Sequence, residues 1–317
     1  MGEHEHTGPR LPLPRLARIS FSAQGAPAHP ADALGLPVEK PDSPDGSPAG
    51  EKGACLDLLV DARLFASCGV RIAFSSREGG VSKGAFSSLN LSDKVGDDAG
   101  AVAANRRRLL SALGAAHLFE RLVVPDQVHG TRLVVVDGGG EGDVERAQAE
   151  ALAGSDGVVC ACPDVPVLLC FADCVPVILV AAGGAFAVVH AGWRGALVGI
   201  PGAALSTLSR EAGCAPGECN AYIGPHIGAC CYEVSADLLA RFTAAFGASC
   251  DGGGGRLDLS AAVVSDLVAA GADPNRIADA RVCTACDSDA YYSYRAHGGT
   301  TGRHGAYACK EGEKTWD

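Results

Sequence analysis

The sequence lacks an excess of positive charge, and this absence excludes one class of partners. Its 317 residues contain 26 Lys and Arg against 37 Asp and Glu, which gives a formal net charge of −11. A chain this acidic has no overall electrostatic footprint for nucleic acid or for an anionic membrane. We therefore expect neither nucleic acid nor a membrane among its partners, and the sequence gives no indication of an oligomeric state.

Long hydrophobic runs are also missing. The longest apolar stretches, residues 165–172 and 175–182, are separated by Asp173 and are too short to span a bilayer. No charged start followed by an apolar run marks a signal peptide. In a long chain without such a signal, 14 cysteines indicate a reduced protein in which most thiols are small core residues. The sequence thus predicts a cytoplasmic protein.

Proline is distributed unevenly and divides the chain in two. Nine of the 17 prolines lie in the first 50 residues, where neither a helical nor a strand period is sustained. We therefore expect a disordered Pro/Gly-rich tail over residues 1–53, followed by a single domain over residues 54–317. The His4 and His6 pair could bind a metal, but its composition favours a solvated tail.

The folded part reads as strands interrupted by helices. Hydrophobic runs predict four buried strands over residues 158–162, 165–172, 175–182 and 185–190. Helices are expected over residues 100–115, after Asp97 and Asp98, and over residues 196–212. Two more should be capped by Ser235 and Ser260. This pattern predicts an α+β fold with mixed β-sheets.

Three residues beside predicted strand ends could share one site: His129, Cys174 and His190. Each alone is more often an ordinary hydrogen-bonded or packed side chain. Together, two imidazoles and one thiolate suit zinc with an open fourth position, which can lower the pKa of bound water to about 7. Asp173, next to Cys174, is expected either to orient a ligand or to move a proton.

Basic residues near glycine-rich segments indicate an anion site. The small Ala191-Gly192 step leaves room for a ligand, and Trp193 and Arg194 follow it at a helix start that favours an anion. Other arginines in comparable settings suit phosphate or carboxylate, with a solvated side chain as the alternative. These are Arg77, Arg295 and Arg303.

The remaining cysteine motifs carry less weight. Cys283-Thr-Ala-Cys286 has the CxxC spacing, but it lacks both a βαβ context and a second CxxC. A redox or structural zinc role is therefore the less favoured reading. The adjacent Cys230 and Cys231 are expected to be core groups, or to lie behind a metal ligand, rather than to form a disulfide.

A series of motifs resembles one known family, the polyphenol oxidoreductase or laccase-like family of the YfiH/YlmD type. The match covers about residues 55–308, in the family's order. Its motifs are Phe74-Ser-Ser-Arg-Glu-Gly-Gly80, Ser88-Leu-Asn-Leu91, Gln127-Val-His-Gly130, Ala172-Asp-Cys-Val-Pro-Val177, His190-Ala-Gly-Trp-Arg-Gly195, Ile223-Gly-Pro-His-Ile-Gly228, Cys231-Tyr-Glu-Val234, Ser293-Tyr-Arg295 and Thr301-Gly-Arg303.

The resemblance implies a layered α/β/β/α fold and a zinc ion bound by His129, Cys174 and His190. The implied reaction is phosphorolysis of adenosine, inosine, guanosine or methylthioadenosine to the free base and ribose 1-phosphate, accompanied by deamination of adenosine. Asn90 joins the arginines as an expected substrate-binding or phosphate-binding residue.

Three other functions stay open at this point. A copper polyphenol oxidase is disfavoured because Met1 is the only methionine and the only His-x-His pair is in the tail, although His₂Cys can bind copper. An amide hydrolase acting on peptidoglycan precursors would use Cys174 as nucleophile and His190 as base. A non-catalytic binding module would bind ligand without turnover.

Overall fold

The protein is described here by a computed structural model of residues 10–22 and 55–312. Its eleven strands are β1 (Ala17–Ser22), β2 (Cys55–Val60), β3 (Val70–Ser75), β4 (Leu133–Val136), β5 (Gly157–Cys160), β6 (Val167–Phe171), β7 (Val175–Val180), β8 (Phe186–Ala191), β9 (Asn220–Ile223), β10 (Ile277–Asp279) and β11 (His304–Lys310). Its seven α-helices are α1 (Ala62–Cys68), α2 (Ala99–Ala112), α3 (Glu141–Leu152), α4 (Trp193–Leu197), α5 (Ile200–Ala212), α6 (Ala236–Phe246) and α7 (Leu259–Ala269).

The strands form two sheets. The five-stranded sheet has the order β1-β2-β3-β11-β6, and all its neighbours are antiparallel. The six-stranded sheet has the order β10-β9-β7-β8-β5-β4; its outer pairs, β10 with β9 and β4 with β5, are parallel, and its inner pairs are antiparallel. The expectation of mixed sheets therefore holds for the larger sheet only.

Three buried clusters show how the sheets are stacked. One cluster joins the facing sides of the two sheets, for example Phe74 and Leu169 of the first with Ile178 and Val188 of the second. A second packs α4–α7 onto the other face of the six-stranded sheet, and a third packs α2 onto the other face of the five-stranded sheet. The layers are thus α/β/β/α, which confirms the expected α+β layered fold.

The predicted tail needs a correction. Residues 10–22 are structured: β1 pairs with β2 from Ala17 opposite Val60 to Ser22 opposite Cys55, and Ile19 is buried. The free energy gained by burying this side chain on the five-stranded sheet exceeds the cost of ordering a proline-rich segment. The rest of the predicted tail, residues 1–9 and 23–53, lies outside the described residues, as do His4 and His6.

Local predictions for the helices fare unevenly. Ser235 caps α6 through a bond from the Leu238 amide, as expected. The cap of α7 is instead Asp258, whose carboxylate accepts the Ala261 amide, so Ser260 lies inside the helix. No helix in the described ranges combines the length and the apolar character needed to cross a bilayer.

Candidate functional site

Four chain segments meet at one edge of the six-stranded sheet. Strands β4, β5 and β7 begin at the edge where β8 ends, because β5 and β7 run antiparallel to β8 and β4 runs parallel to β5. His129 lies in the loop before β4, Cys174 directly before β7, and His190 near the end of β8. The sheet order places these side chains together although they are far apart in sequence.

The three predicted ligands form one cluster. Their ligand atoms all lie within 4.8 Å of one another. Cys174 Sγ is 3.8 Å from His129 Nε2, and the His129 and His190 rings meet edge to face with centroids 4.8 Å apart. Two imidazoles and one thiolate at this separation form a set that can hold a transition metal ion.

A fourth residue, Asp156, holds both histidines, and the sequence motifs did not identify it. Its carboxylate is fully buried before β5, and Oδ1 lies 2.8 Å from His190 Nδ1. The same carboxylate accepts the backbone amides of His129 and Gly130 at 2.9 and 2.6 Å. His190 therefore keeps Nε2 for a metal, in the carboxylate–histidine arrangement typical of metal sites. The available signal was an acid placed directly before a wholly apolar strand.

Electrostatics within the cluster favour a thiolate. Burial opposes ionisation of Cys174, but the His190 charge and hydrogen bonds from both histidines lower the pKa of the thiol to about 6. Burial likewise disfavours the charged His190, but Cys174 and Asp156 raise its pKa to about 9. For Asp156, the bond from His190 and the two amides outweigh burial and lower its pKa. The thiol is therefore ionised at neutral pH, the form that binds metals and attacks electrophiles.

Local bonds fix the loop that carries His129. The Gln127 side chain spans to β6, where its oxygen accepts the Cys170 amide at 2.8 Å and its nitrogen donates to the Cys170 carbonyl at 2.9 Å. His129 itself has a φ of 59°, in the left-handed region. The Asp156 carboxylate compensates this strained backbone by accepting the His129 amide.

Gly192 leaves the space in which the cluster assembles. A Cβ at this position would lie 2.9 Å from His129 Cδ2, 3.2 Å from Cys174 Sγ and 3.4 Å from His190 Cε1. Its φ of −69° is one that any residue adopts, so glycine is required for room and not for backbone conformation. The three ligand side chains thus converge over a position that no side chain occupies.

We expect Gly192→Ala to weaken metal binding while leaving the fold intact, because the added methyl group displaces His129 or Cys174. We expect the affinity for zinc to fall about tenfold or more, which is the size of effect seen when groups that orient metal ligands are removed. A chelator competition measures it. The control is Gly142→Ala in α3, where an added Cβ meets nothing within 4 Å. Equal affinity in the two variants would contradict the packing argument.

The cluster opens into a cavity of about 590 Å³. This volume is within the range of small-molecule sites. Five basic and three acidic side chains line it among the described residues. Two of the acids pair with bases, Asp93 with Arg106 at 3.4 Å and Asp126 with Lys94 at 3.8 Å. The remaining bases, Arg194, Arg295 and Arg303, give the cavity an excess of positive charge that suits an anion.

Most of the predicted binding residues line this cavity, but two do not. Trp193, Arg194, Arg295 and Arg303 are among its lining residues. Arg77 lies elsewhere: its guanidinium donates to the carbonyls of Ser87 and Ser288 and packs over the Tyr292 ring. It fastens loops together and is not part of the anion site that the sequence predicted.

Asn90 is also a structural residue. Its side chain is fully buried, donates to the Ser92 carbonyl and Asp97, and accepts the Arg303 amide at 2.8 Å. It therefore positions the backbone of Arg303 and makes no contact with the cavity itself. Sequence alone could not distinguish this role, because a buried amide and a ligand-binding amide look the same in a motif.

Asp173 lines the cavity, and each of its carboxylate oxygens accepts one hydrogen bond. Oδ1 accepts the Thr284 hydroxyl and Oδ2 accepts the Arg295 amide, each at 2.7 Å. The orienting carboxylate of the histidines is Asp156, not Asp173. Asp173 instead holds the segment that carries Arg295 against the turn between the two sheets. Of the two expected roles, these bonds favour an orienting one, directed at the Arg295 segment.

Two aromatic residues of the cavity wall were not among the residues predicted from the sequence. Tyr232 and Tyr294 line the cavity, and arginines lie over both rings: Arg295 5.4 Å from the Tyr232 centroid and Arg303 6.0 Å from that of Tyr294. With Trp193 they offer flat apolar faces beside positive charge. A planar heterocycle attached to a polar or anionic group fits such a wall.

Comparison with known proteins connects these residues to a family. The family model described as multi-copper polyphenol oxidoreductase laccase matches residues 71–311, a range that contains the whole cavity wall. The purine nucleoside phosphorylase YlmD of Geobacillus stearothermophilus is 36% identical over 269 residues, 80% of this chain and 97% of that protein. The adenosine deaminase RL5 of an unknown prokaryotic organism is 34% identical over 73% of this chain and 90% of that protein.

A solved structure agrees with these comparisons. The crystal structure of YlmD from Geobacillus stearothermophilus matches with a TM-score of 0.71 and 33% sequence identity. The match covers 80% of this chain and 96% of that chain. The similarity therefore extends over nearly the full length of the relative.

Proposed function

This chain belongs to the multi-copper polyphenol oxidoreductase laccase family, matched over residues 71–311. From its cavity and its named relatives, we propose that it acts on purine nucleosides. The proposed reactions are zinc-dependent phosphorolysis and the deamination of adenosine. The observation that carries the proposal is the convergence of His129, Cys174 and His190 in a cavity rich in arginine and aromatic side chains. Relatives named for phosphorolysis and for adenosine deamination, each over 30% identical, support the same substrate class.

The ligand set fits zinc. Three side-chain ligands and one open position are the pattern of catalytic zinc sites, and the absence of a side chain at Gly192 leaves room for His129, Cys174 and His190 to converge. We refer to the cluster of His129, Cys174 and His190 as the cavity floor. When bound there, the ion would supply a Lewis acid. Asp156 holds His190 in the tautomer whose Nε2 faces the cluster, and the low pKa of Cys174 provides the thiolate.

For phosphorolysis, the chain must hold phosphate beside the ribose. Arg194, Arg295 and Arg303 offset the charge of the anion, and guanidinium groups bind it with two parallel bonds. A phosphate oxygen then bonds to C1′ while the bond from C1′ to the purine nitrogen breaks and the base takes up a proton. The tyrosine and tryptophan rings of the wall orient the planar base.

For deamination, the same cavity must hold adenine with C6 toward the cluster. Water adds to C6, and ammonia leaves after proton transfer. This reaction needs no phosphate, so the two activities separate when phosphate is withheld.

The contacts of Cys174 with His190 and of His190 with Asp156 suggest a second candidate function, amide hydrolysis. Cys174, His190 and Asp156 form a thiolate–imidazolium–carboxylate series that resembles a cysteine hydrolase triad. Such a triad needs one histidine, however, whereas His129 Nε2 also lies 3.8 Å from the sulfur. A metal uses all three groups, which favours the nucleoside proposal over amide hydrolysis of peptidoglycan precursors.

Copper oxidation of polyphenols has less support. Among the described residues, two groups of side chains could hold a metal. The cluster of His129, Cys174 and His190 contains two histidines, and the other group consists of four cysteines. A multicopper centre needs a larger histidine set, so the name of the family model is a weak guide to the reaction.

The test is product analysis with adenosine, with and without phosphate, on zinc-replete protein. We expect adenine and ribose 1-phosphate only when phosphate is present, and inosine in either case. Removal of metal by a chelator should abolish both activities, and zinc should restore them. Nucleoside turnover that survives complete metal removal would contradict the zinc proposal, and no turnover of adenosine, inosine, guanosine or methylthioadenosine would contradict the substrate class.

A further inference from the structure

A second cluster of metal-binding side chains lies outside the cavity floor, in the loops that follow β9 and β10. These two strands are parallel neighbours at one side of the six-stranded sheet. Beyond them the loops stay joined: the His226 amide donates to the Val282 carbonyl at 3.1 Å, and the Thr284 amide donates to the His226 carbonyl at 2.9 Å. The pairing brings Cys230 and Cys231 of one loop to Cys283 and Cys286 of the other.

We infer that these four cysteines form a structural zinc site of the tetrathiolate type. All four sulfurs lie within 4.8 Å of one another, and Cys286 Sγ is 3.4 Å from both Cys230 Sγ and Cys231 Sγ. Four sulfurs bonded to one zinc ion at about 2.3 Å stand about 3.8 Å apart in a tetrahedron. A disulfide would require about 2.05 Å. The spacing of the four sulfurs, 3.4 Å for two pairs and within 4.8 Å for all, is too long for a disulfide and close to that of a single-ion shell.

The chemistry of the donor set selects the ion. Four thiolates leave no open position, which is the mark of a structural and not a catalytic zinc site. An iron–sulfur cluster holds its cysteines around several metal atoms and would keep the four sulfurs farther apart. The site shares no ligand with the cluster at the cavity floor.

Two further contacts show that the backbone is arranged around the sulfurs. The Gly228 amide donates to Cys283 Sγ at 3.2 Å. A Cβ at Gly228 would lie 3.3 Å from Cys230 Sγ and 3.2 Å from Cys283 Cβ. A backbone amide that donates to a sulfur, and a glycine that leaves room beside two of the cysteines, are features of a formed ligand shell.

The site would fasten one wall of the cavity. The Ile227 amide, in the first loop, donates to the Asp173 carbonyl, and the Thr284 hydroxyl, in the second, donates to the Asp173 carboxylate. Tyr232, directly after Cys231, lines the cavity. An ion that binds the two loops together therefore stabilises the wall without touching the reacting atoms.

The experiment is zinc analysis of reduced protein purified without an affinity metal. We expect two zinc equivalents per chain in the wild type. Cys286→Ser should lose one and keep the equivalent at His129, Cys174 and His190, whereas Cys174→Ser should lose only the other. Zinc-edge X-ray absorption of Cys174→Ser should show a shell of sulfur alone, at about 2.3 Å.

A second measurement needs no variant and remains informative if Cys286→Ser fails to fold. In the wild-type protein, the four cysteines should resist alkylation until a chelator removes zinc, as read by mass spectrometry of the labelled peptides. One zinc equivalent that disappears completely in Cys174→Ser, iron or copper bound in place of zinc, or a disulfide among the four residues in reduced protein would each overturn the inference. None of these readouts depends on nucleoside turnover, so they stand apart from the proposed function.

Discussion

Cys174→Ser should lose the metal of the cavity floor and nearly all nucleoside turnover. The change preserves size and shape, but a serine hydroxyl stays protonated at neutral pH, where the Cys174 thiol, with a pKa of about 6, is ionised. We expect kcat/KM for phosphorolysis and for deamination to fall by at least about 10³-fold, which is about 4 kcal/mol of transition-state stabilisation. Steady-state kinetics and zinc analysis of the same preparation measure both effects.

The matched control is Cys162→Ser. Cys162 is also partly buried, but its sulfur lies 3.7 Å from the Val136 carbonyl, away from the cavity lining. This variant should keep its zinc content and its kinetics. If Cys174→Ser kept the same number of zinc equivalents as the wild type while losing turnover, the sulfur would act as a nucleophile and not as a ligand, and this result would support the hydrolase hypothesis over the zinc proposal.

Asp156→Asn should weaken zinc binding by about 10–100-fold, the range for removal of a carboxylate behind a ligand histidine. Asp156 Oδ1 accepts from His190 Nδ1 and the His129 amide, and Oδ2 accepts the Gly130 amide. An asparagine amide replaces one of these oxygens with a donor, which then faces another donor in a fully buried site. We expect a loss of about 1–3 kcal/mol in unfolding free energy as well.

The pH dependence gives this variant a distinct signature. Folding lowers the pKa of Asp156 below its ordinary value of 3.8, so its contribution to stability is complete above that value. The contribution is lost as the pH falls through the folded-state pKa. In metal-free protein, Asp156→Asn should therefore reduce the acid-side slope of stability against pH, as measured by denaturant titration.

Asp266→Asn is the control for a buried carboxylate in general. Asp266 is half-buried and accepts the Gly202 amide at 2.7 Å, between α5 and α7. We expect a change in stability and an unchanged affinity for zinc. Equal zinc affinity in Asp156→Asn and wild type would show that the carboxylate does not orient His190 for a metal.

Local patterns predicted the four central strands and the grouping of three candidate ligands, but not β1. The apolar runs of β5–β8 indicated buried strands, and His129, Cys174 and His190 each stood beside a strand end. Local sequence did not predict the sheet order, in which β4 and β5 pair in parallel while β8 pairs antiparallel with both β5 and β7. Only that order shows that the strand ends meet at one edge.

A residue type does not reveal its partners or its place in the fold. The Arg77 guanidinium donates to the Ser87 and Ser288 carbonyls and lies outside the cavity lining. The Asp173 carboxylate lines the cavity and accepts the Thr284 hydroxyl and the Arg295 amide. Sequence spacing did not indicate that Cys283 and Cys286 lie beside Cys230 and Cys231, because no second CxxC is present. The parallel pairing of β9 with β10 brings the two loops together.

The most direct test is a titration of metal-free protein with zinc while adenine release from adenosine is followed in phosphate. We expect no turnover without zinc and a rise that saturates once the site at His129, Cys174 and His190 is filled. In Cys174→Ser we expect no rise at any zinc concentration. Full turnover before zinc is added, or a rise of equal size in Cys174→Ser, would contradict the claim that these three residues hold the metal that serves the reaction.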